Sequence, residues 1–206
     1  MKDPSKKEDF AEIEKRALLG NMIILTSQGI PFIHAGQEYG RTKQYKVNVP
    51  DKNSIEKLFY VQGFKYPCFN KDSYNAPDAI NHIDWERIKD SRMVPYVEGL
   101  IKIRKSSDAF RLTTKKDVDK NVKLIANRTT DNAIGYEIKG KKDTFVVFVN
   151  ADNVEREFKY DKLKKAKVLA DQNSAGITRI INPKGVKIKG DKIILAPLTG
   201  TILKIK

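Results

Sequence analysis

The apolar residues of this chain recur at helical spacing in its first half and at strand spacing in its second half, and the change falls near residue 111. Residues 6–26 place an apolar side chain every three or four positions after Pro4 and Ser5, which are typical of a helix start. Residues 93–106 follow a similar pattern and end in basic side chains. The spacing therefore predicts two helices before residue 111, and residues 84–87 are typical of the start of a further helix between them.

The segment after the first helix is apolar without alternation. Gly29 interrupts the helix, and residues 30–35 then predict a short buried strand, because continuous apolarity is typical of a parallel strand covered on both faces. No second parallel strand is predicted before residue 111. Since buried backbone groups need hydrogen-bond partners, we expect this strand to belong to a sheet whose other strands lie outside the chain.

From residue 120 onward, short apolar runs are separated by Gly, Asn, Asp and Pro, which predicts an antiparallel β-sandwich. The run at 145–149 alternates little and is expected to be central, and Gly190 with Asp191 predicts a hairpin turn. The predicted strands cover residues 122–126, 133–138, 145–149, 154–160, 167–170, 178–181, 186–188, 193–195 and 201–205.

Composition narrows the class of protein. The 206 residues are 40% hydrophobic and 32% charged, which predicts a folded, soluble body. The apolar run at 22–25 is far shorter than the roughly 20 residues that cross a bilayer, and no secretory leader is expected at the start. One cysteine, Cys68, excludes an internal disulfide and a thiolate zinc cluster. We expect no membrane partner, no metal and no cofactor, and the compartment stays open between extracellular, cell-surface and cytoplasmic.

The net charge is +14, and residues 112–206 alone contribute +10. Such an excess attracts polyanions, so a nucleic-acid binder is one alternative, and its affinity would fall steeply with salt. However, 31 of the 40 basic residues are lysines spread among the predicted strands, which is typical of edge and surface charges. We therefore expect no nucleic-acid partner.

Candidate chemistry concentrates in a long irregular segment, residues 39–74, which holds eight of the eighteen aromatic side chains. Its rings could cover the ends of strands, or they could stack on sugar faces while polar groups bridge hydroxyls, and composition alone leaves both interpretations open. The polar cluster at residues 73–78 favours sugar binding. No Ser/His/Asp set or phosphate-binding loop is present, and His34 and His82 are 48 residues apart.

Several stretches, in order and at sensible spacing, resemble the type I pullulanases of the α-amylase superfamily, the debranching enzymes of glycoside hydrolase family thirteen. Residues 28–38, QGIPFIHAGQE, resemble the eighth barrel strand. Residues 72–85, DSYNAPDAINHIDW, resemble the loop between that strand and the last barrel helix and are the most specific match. Residues 96–111 are similar to the last helix and its exit, and residues 195–201, LAPLTGT, to the final strands of the C-terminal sandwich.

The resemblance implies an α/β plus all-β fold class: the C-terminal remnant of a TIM (β/α)8 barrel in residues 1–111, followed by an antiparallel β-sandwich domain in residues 112–206. It implies hydrolysis of α-1,6-glucosidic branch linkages in pullulan, starch or glycogen, with retention. The family keeps its catalytic carboxylates on strands four, five and seven, which precede this chain. We therefore expect no catalytic residue here, an inactive isolated chain, and the missing N-terminal part of the barrel as a partner.

The resemblance also suggests roles for individual residues. Tyr74, Asn75 and Asp78 are candidates for lining the sugar site, and Arg41 for bridging to a substrate hydroxyl or a neighbouring carboxylate. Glu38 and His34 are interpreted as structural residues at the strand end, and Trp85 as packed at a helix start. The alternative is a non-catalytic carbohydrate-binding or structural β-sandwich module.

Overall fold

The computed structural model describes residues 7–43 and 73–205. Cys68 and most of the aromatic segment lie outside these ranges, so the predictions made for them stay predictions. The α-helices of the described residues are α1 Lys7–Thr26, α2 Asp78–Asn81, α3 Trp85–Lys89, α4 Met93–Lys105 and α5 Lys115–Asn121. The strands are β1 Val122–Arg128, β2 Ala133–Lys139, β3 Thr144–Asn150, β4 Arg156–Lys159, β5 Lys167–Ala170, β6 Val186–Lys189, β7 Lys192–Leu195 and β8 Thr199–Ile205.

The strands form two antiparallel sheets. The larger sheet has the order β1-β2-β3-β8-β5 and the smaller has the order β4-β7-β6. Strands β6 and β7 form the predicted hairpin, whose turn contains Gly190 at a φ of 63°. Eight of the nine strands predicted from residue 120 onward therefore form antiparallel pairs, and β3 is the central strand of the larger sheet.

Strand β3 is buried on both faces, which explains why its sequence alternates so little. Phe145, Val147 and Val149 belong to a hydrophobic cluster that also contains α1 and α4. Val146 and Phe148 point the other way, into a second cluster shared with the smaller sheet. Because neighbouring side chains of a strand point to opposite faces, one run of apolar residues supplies both cores.

The helices form a layer on the outer face of the larger sheet. Met22 of α1 is fully buried there and approaches Gly200 of β8, where a side chain would have to begin 2.5 Å from the Met22 sulfur. In α4, Gly99 lies against the carbonyl of Ala175. None of the helices described in this chain is long and apolar enough to span a membrane.

The structure differs from the sequence predictions at several places. Residues 178–181 form bends instead of a strand. A backbone hydrogen bond from Ile180 N to Val168 O, at 2.9 Å, holds this segment next to β5. Trp85 begins α3 as expected, but its side chain is 68% exposed and not packed. Helix α5 was not predicted, since its lysines and aspartates carry no apolar period; Thr114 caps it by accepting from Asp117 N.

The predicted buried strand at 30–35 is not formed within the described residues. Residues 30–34 pair with none of the eight strands, and the side chains of Ile30 and Phe32 are 98% and 87% exposed. A strand needs a neighbour to satisfy its backbone groups, and the described part of the chain offers none at this position.

A buried carboxylate joins the two sheets. Glu137 of β2 is only 6% exposed and accepts hydrogen bonds from Tyr160 Oη and, at 3.2 Å, from Lys162 Nζ. Burial raises the pKa of Glu137, but the hydrogen bonds from Tyr160 and Lys162 and the charges of Lys162 and Lys139 outweigh it, so the net pKa lies below the ordinary value.

The two helical glycines provide a matched pair of substitutions. A Cβ at Gly99 would lie 1.9 Å from the Ala175 carbonyl oxygen, whereas nothing lies within 4 Å of a Cβ at Gly20. We expect Gly99→Ala to destabilise the chain by about 1–3 kcal/mol through overpacking. Gly20→Ala is expected to stabilise it by about 0.5–1 kcal/mol, since alanine loses less backbone entropy in a helix. Urea unfolding midpoints measure both, and shifts of the same sign would contradict the helix–loop contact.

The Glu137 network predicts an acid-sensitive contribution to stability. A depressed pKa stabilises the folded state above the ordinary carboxyl pKa of 4.5, and this contribution is lost as the pH falls through the lower folded value. Glu137→Gln should remove that part of the decline in unfolding free energy as the pH falls below about 4.5, and Tyr160→Phe should remove some of it. Parallel stability–pH curves for all three proteins would show that the network does not act in this way.

Candidate functional site

A tight turn follows the unpaired segment and forms the floor of the site. Gly36 and Gly40 adopt positive φ values of 96° and 70°, which glycine allows at little cost, and residues 37–39 form one turn of 3-10 helix between them. The Glu38 carboxylate accepts from Gly36 N at 2.9 Å. The carbonyl of the exposed residue His34 accepts from Gln37 N at 2.9 Å.

Arg41 crosses from this turn to Asn81, the last residue of α2, whose side chain holds the loop 73–76. Its guanidinium donates to the carbonyl of Ala35 at 3.2 Å and to the carbonyl of Asn81. The aliphatic part of its side chain lies flat on Gly36, where an added Cβ would come within 2.5 Å of the Arg41 Cδ. Two terminal nitrogens of the guanidinium are thus used by the backbone of the protein itself.

Asn81 holds the same loop from its other side. Its side-chain amide donates to the carbonyls of Ser73 and Ala76, at 2.8 and 2.9 Å. Lys43 Nζ donates to the hydroxyl of Ser73. The loop 73–76 is therefore attached by three side-chain contacts, while one backbone bond, from Ala76 N to Ser73 O at 3.2 Å, closes its turn.

The polar cluster predicted from the sequence lies on the outer surface of this loop. Tyr74 is 96% exposed, and Asn75 and Asp78 are exposed as well. Asp78 begins α2, and its carbonyl accepts from both the backbone and the ring Nδ1 of His82. The arrangement presents a phenol ring, an amide and a carboxylate on one short stretch, groups that can stack on a sugar ring and bond its hydroxyls.

A small polar cavity of about 130 Å³ lies beneath the loop. Tyr39 and Arg41 line it together with His82, Asp84 and Arg87. Within the described residues, Tyr39 Oη, Arg41 Nε and Asn81 Oδ1 are buried without a hydrogen-bond partner. No group of three or more His, Cys, Asp or Glu side chains in that part of the chain could hold a metal ion.

The start of the unpaired segment is anchored to the helical layer. Arg104 of α4 donates to the carbonyls of Leu25, Ser27 and Gly29, at 2.9, 2.7 and 2.6 Å, and so caps the end of α1. Burial and, next, the charge of Arg111 lower the pKa of Arg104.

Gln28 completes the anchor by bridging to the exit of α4. Its side chain donates to Ala109 O at 2.8 Å and accepts from Leu112 N at 3.0 Å. The unpaired segment therefore leaves a rigid support and ends in a rigid turn.

The structure thus connects Arg41, through Asn81, to the segment that carries Tyr74, Asn75 and Asp78. Their roles in sugar binding stay predictions. The structure places Glu38 and His34 in the turn, where each contacts backbone, and their structural role stays a prediction. Sequence reasoning missed Asn81, Gly36 and Arg104. Asn81 lies inside the most specific stretch of the sequence, and that was the signal available for it.

The comparisons with known proteins agree with one another. Residues 121–206 match the family model described as SpuA C-terminal. Pullulanase A of Streptococcus pneumoniae serotype 2 is 41% identical over 232 aligned residues, which cover 99% of this chain. The solved catalytic module of the multi-modular glycogen-degrading pneumococcal virulence factor SpuA superposes with a TM-score of 0.90, at 41% identity and over 100% of this chain. The chain corresponds to the C-terminal portion of a pullulanase.

Other pullulanases extend this relationship. The pullulanase SAP of Group B Streptococcus, solved in complex with maltotetraose, superposes with a TM-score of 0.88 at 37% identity, over 100% of this chain and 29% of that protein. The pullulanase of Bacillus subtilis is 31% identical over 72% of the chain. The chain spans 18% of Pullulanase A and 33% of the solved SpuA module. The pullulanase resemblance expected from the sequence is confirmed.

Proposed function

We propose that this chain supplies the last barrel elements and the C-terminal sandwich of a debranching α-glucan hydrolase. Residues 1–111 would contribute the final helices and the eighth strand of a (β/α)8 barrel, and residues 112–206 the sandwich domain. The observation that carries the proposal is the unpaired segment 30–34, whose Ile30 and Phe32 face solvent in a chain related to pullulanases along its whole length.

The exposure of the apolar side chains in this segment supports a barrel partner. Fully burying an Ile or a Phe side chain is worth roughly 1.5–3 kcal/mol, and here both stay exposed between two rigid supports, the Arg104 anchor and the Gly36 turn. In a (β/α)8 barrel the eighth strand lies between the first and the seventh. The partner of this segment is therefore the preceding part of the same enzyme's barrel.

The carboxylates of the site support a catalytic centre elsewhere. Retaining hydrolysis of a glycosidic bond requires two carboxyl groups roughly 5–5.5 Å apart on either side of the bond. The carboxylate of Glu38 accepts a hydrogen bond from Gly36 N, and that of Asp84 caps α3 by accepting from Arg87 N. Asp78 begins α2 at the surface. Glu38 and Asp84 thus have local roles, and Asp78 is assigned to glucan contact, so the reaction of the whole enzyme relies on carboxylates supplied by the other barrel strands.

In this proposal the loop 73–78 is the contribution of the chain to glucan binding. Tyr74, Asn75 and Asp78 would contact α-glucan, that is pullulan, starch or glycogen, and Arg41 would support them from below. His34 and Glu38 would keep the turn in shape. The exposure of the loop supports this assignment, and so does the SAP pullulanase, a relative solved in complex with maltotetraose.

The isolated chain is expected to have no hydrolytic activity. Incubation of the purified protein with pullulan should release no reducing ends above the buffer blank, because the acid and the nucleophile are absent. A full-length pullulanase in the same assay serves as the positive control. Sustained turnover by the pure chain would contradict the proposal, since it would require a carboxylate pair within these residues.

Glucan binding should depend on the loop. We expect Tyr74→Ala and Asn75→Ala each to weaken retention of the chain on immobilised glucan, by roughly tenfold in Kd, or about 1.4 kcal/mol. Ile181→Ala is the matched control, since Ile181 is 81% exposed but lies in the sandwich half. Binding that ignores the loop and maps to residues 112–206 would instead favour a non-catalytic carbohydrate-binding module.

A further inference from the structure

We propose that Asn81 and Arg41 are positioning residues that fix the loop 73–78 above the Gly36 turn, and thereby set where Tyr74 and Asn75 meet a glucan chain. The contact with glucan rests on the proposed function. The positioning itself is a property of the chain alone and can be measured without any carbohydrate.

Asn81 is suited to this role by its two side-chain donors. Its amide nitrogen bonds the carbonyls of Ser73 and Ala76, which lie on either side of Tyr74 and Asn75. Its own backbone carbonyl accepts from Arg41. One residue therefore connects the loop to the guanidinium. A carboxylate in its place would have no donor and would repel both carbonyl oxygens.

Arg41 carries the connection on to the turn. Its planar guanidinium reaches the carbonyl of Ala35 and the carbonyl of Asn81 at once, which a lysine ammonium on a flexible stem does not reproduce. The stem fits only because residue 36 is glycine, where a Cβ would lie 2.6 Å from the Arg41 Cβ and 2.5 Å from its Cδ. The turn, the arginine and the loop thus form one continuous support.

The loop itself adds little to the core, which separates positioning from stability. Tyr74, Asn75 and Asp78 are exposed, and Ile80 is the buried side chain of α2. Loss of the Asn81 contacts should therefore release the loop while both hydrophobic clusters stay intact. A purely structural residue would instead lower the melting temperature of the whole chain.

The test compares Asn81→Asp with Asn121→Asp in the full chain. Asn121 is the matched control, because its amide also donates to a backbone carbonyl, that of Asp117, at 2.9 Å. We expect the amide of Ala76, which donates to Ser73 O, to exchange with deuterium at least tenfold faster in Asn81→Asp. Exchange in β3 and the Tm should stay unchanged, and Asn121→Asp should leave Ala76 unaffected. Arg41→Lys should accelerate Ala76 exchange to a smaller degree.

Binding of maltotetraose, measured by titration with the same proteins, separates the two proposals. Faster Ala76 exchange together with a weaker maltotetraose Kd supports both. Faster exchange in a chain that does not bind maltotetraose in any form supports positioning and counts against the glucan contact. Unchanged Ala76 exchange in both Asn81→Asp and Arg41→Lys overturns the positioning role, as does a fall in Tm with faster exchange throughout the chain. If Asn81→Asp does not fold, Arg41→Lys decides by the same criteria.

Discussion

The burial of β3 on both faces is the constraint on which the rest of the chain depends. One face, with Phe145, Val147 and Val149, receives the helices, and the other, with Val146 and Phe148, receives the smaller sheet. Helices α1 and α4, which support the unpaired segment, are therefore held by the larger sheet, although the sequence pattern changes from helix to strand near residue 111. The site owes its rigidity to this shared core, since Arg104 projects from a helix that packs against the same sheet.

The sequence predicts the strands well because each has its own apolar pattern and its own turn signals. Residues 178–181 have such a pattern too but form no strand, and on either side of them the buried carboxylate of Asp171 accepts from the backbone N–H groups of Asn173, Ser174 and Lys184. Such contacts between separate backbone positions are not revealed by a local pattern.

The same limit applies to the site. Tyr74, Asn75 and Asp78 were predicted because their side-chain types suit sugar binding and lie together in the sequence. Asn81 and Gly36 act through backbone carbonyls and through the space beside Arg41, and these become visible only when the turn and the loop are brought together. Residue types suited to binding can be recognised in the sequence, whereas residues that position a loop through backbone contacts are harder to recognise there.

The position of β8 has a kinetic consequence. It is the last described strand along the chain, yet it lies between β3 and β5 and pairs with both. During synthesis, β1, β2 and β3 can assemble as a meander of local contacts, but the larger sheet cannot close until β8 has emerged from the ribosome. Closure then joins residues that are 49 positions apart at Asn150 and Thr199 and 61 apart at Thr144 and Ile205, and such non-local pairing slows folding. Until that moment, the apolar edge of β3 is the part of the nascent chain most in need of protection from aggregation.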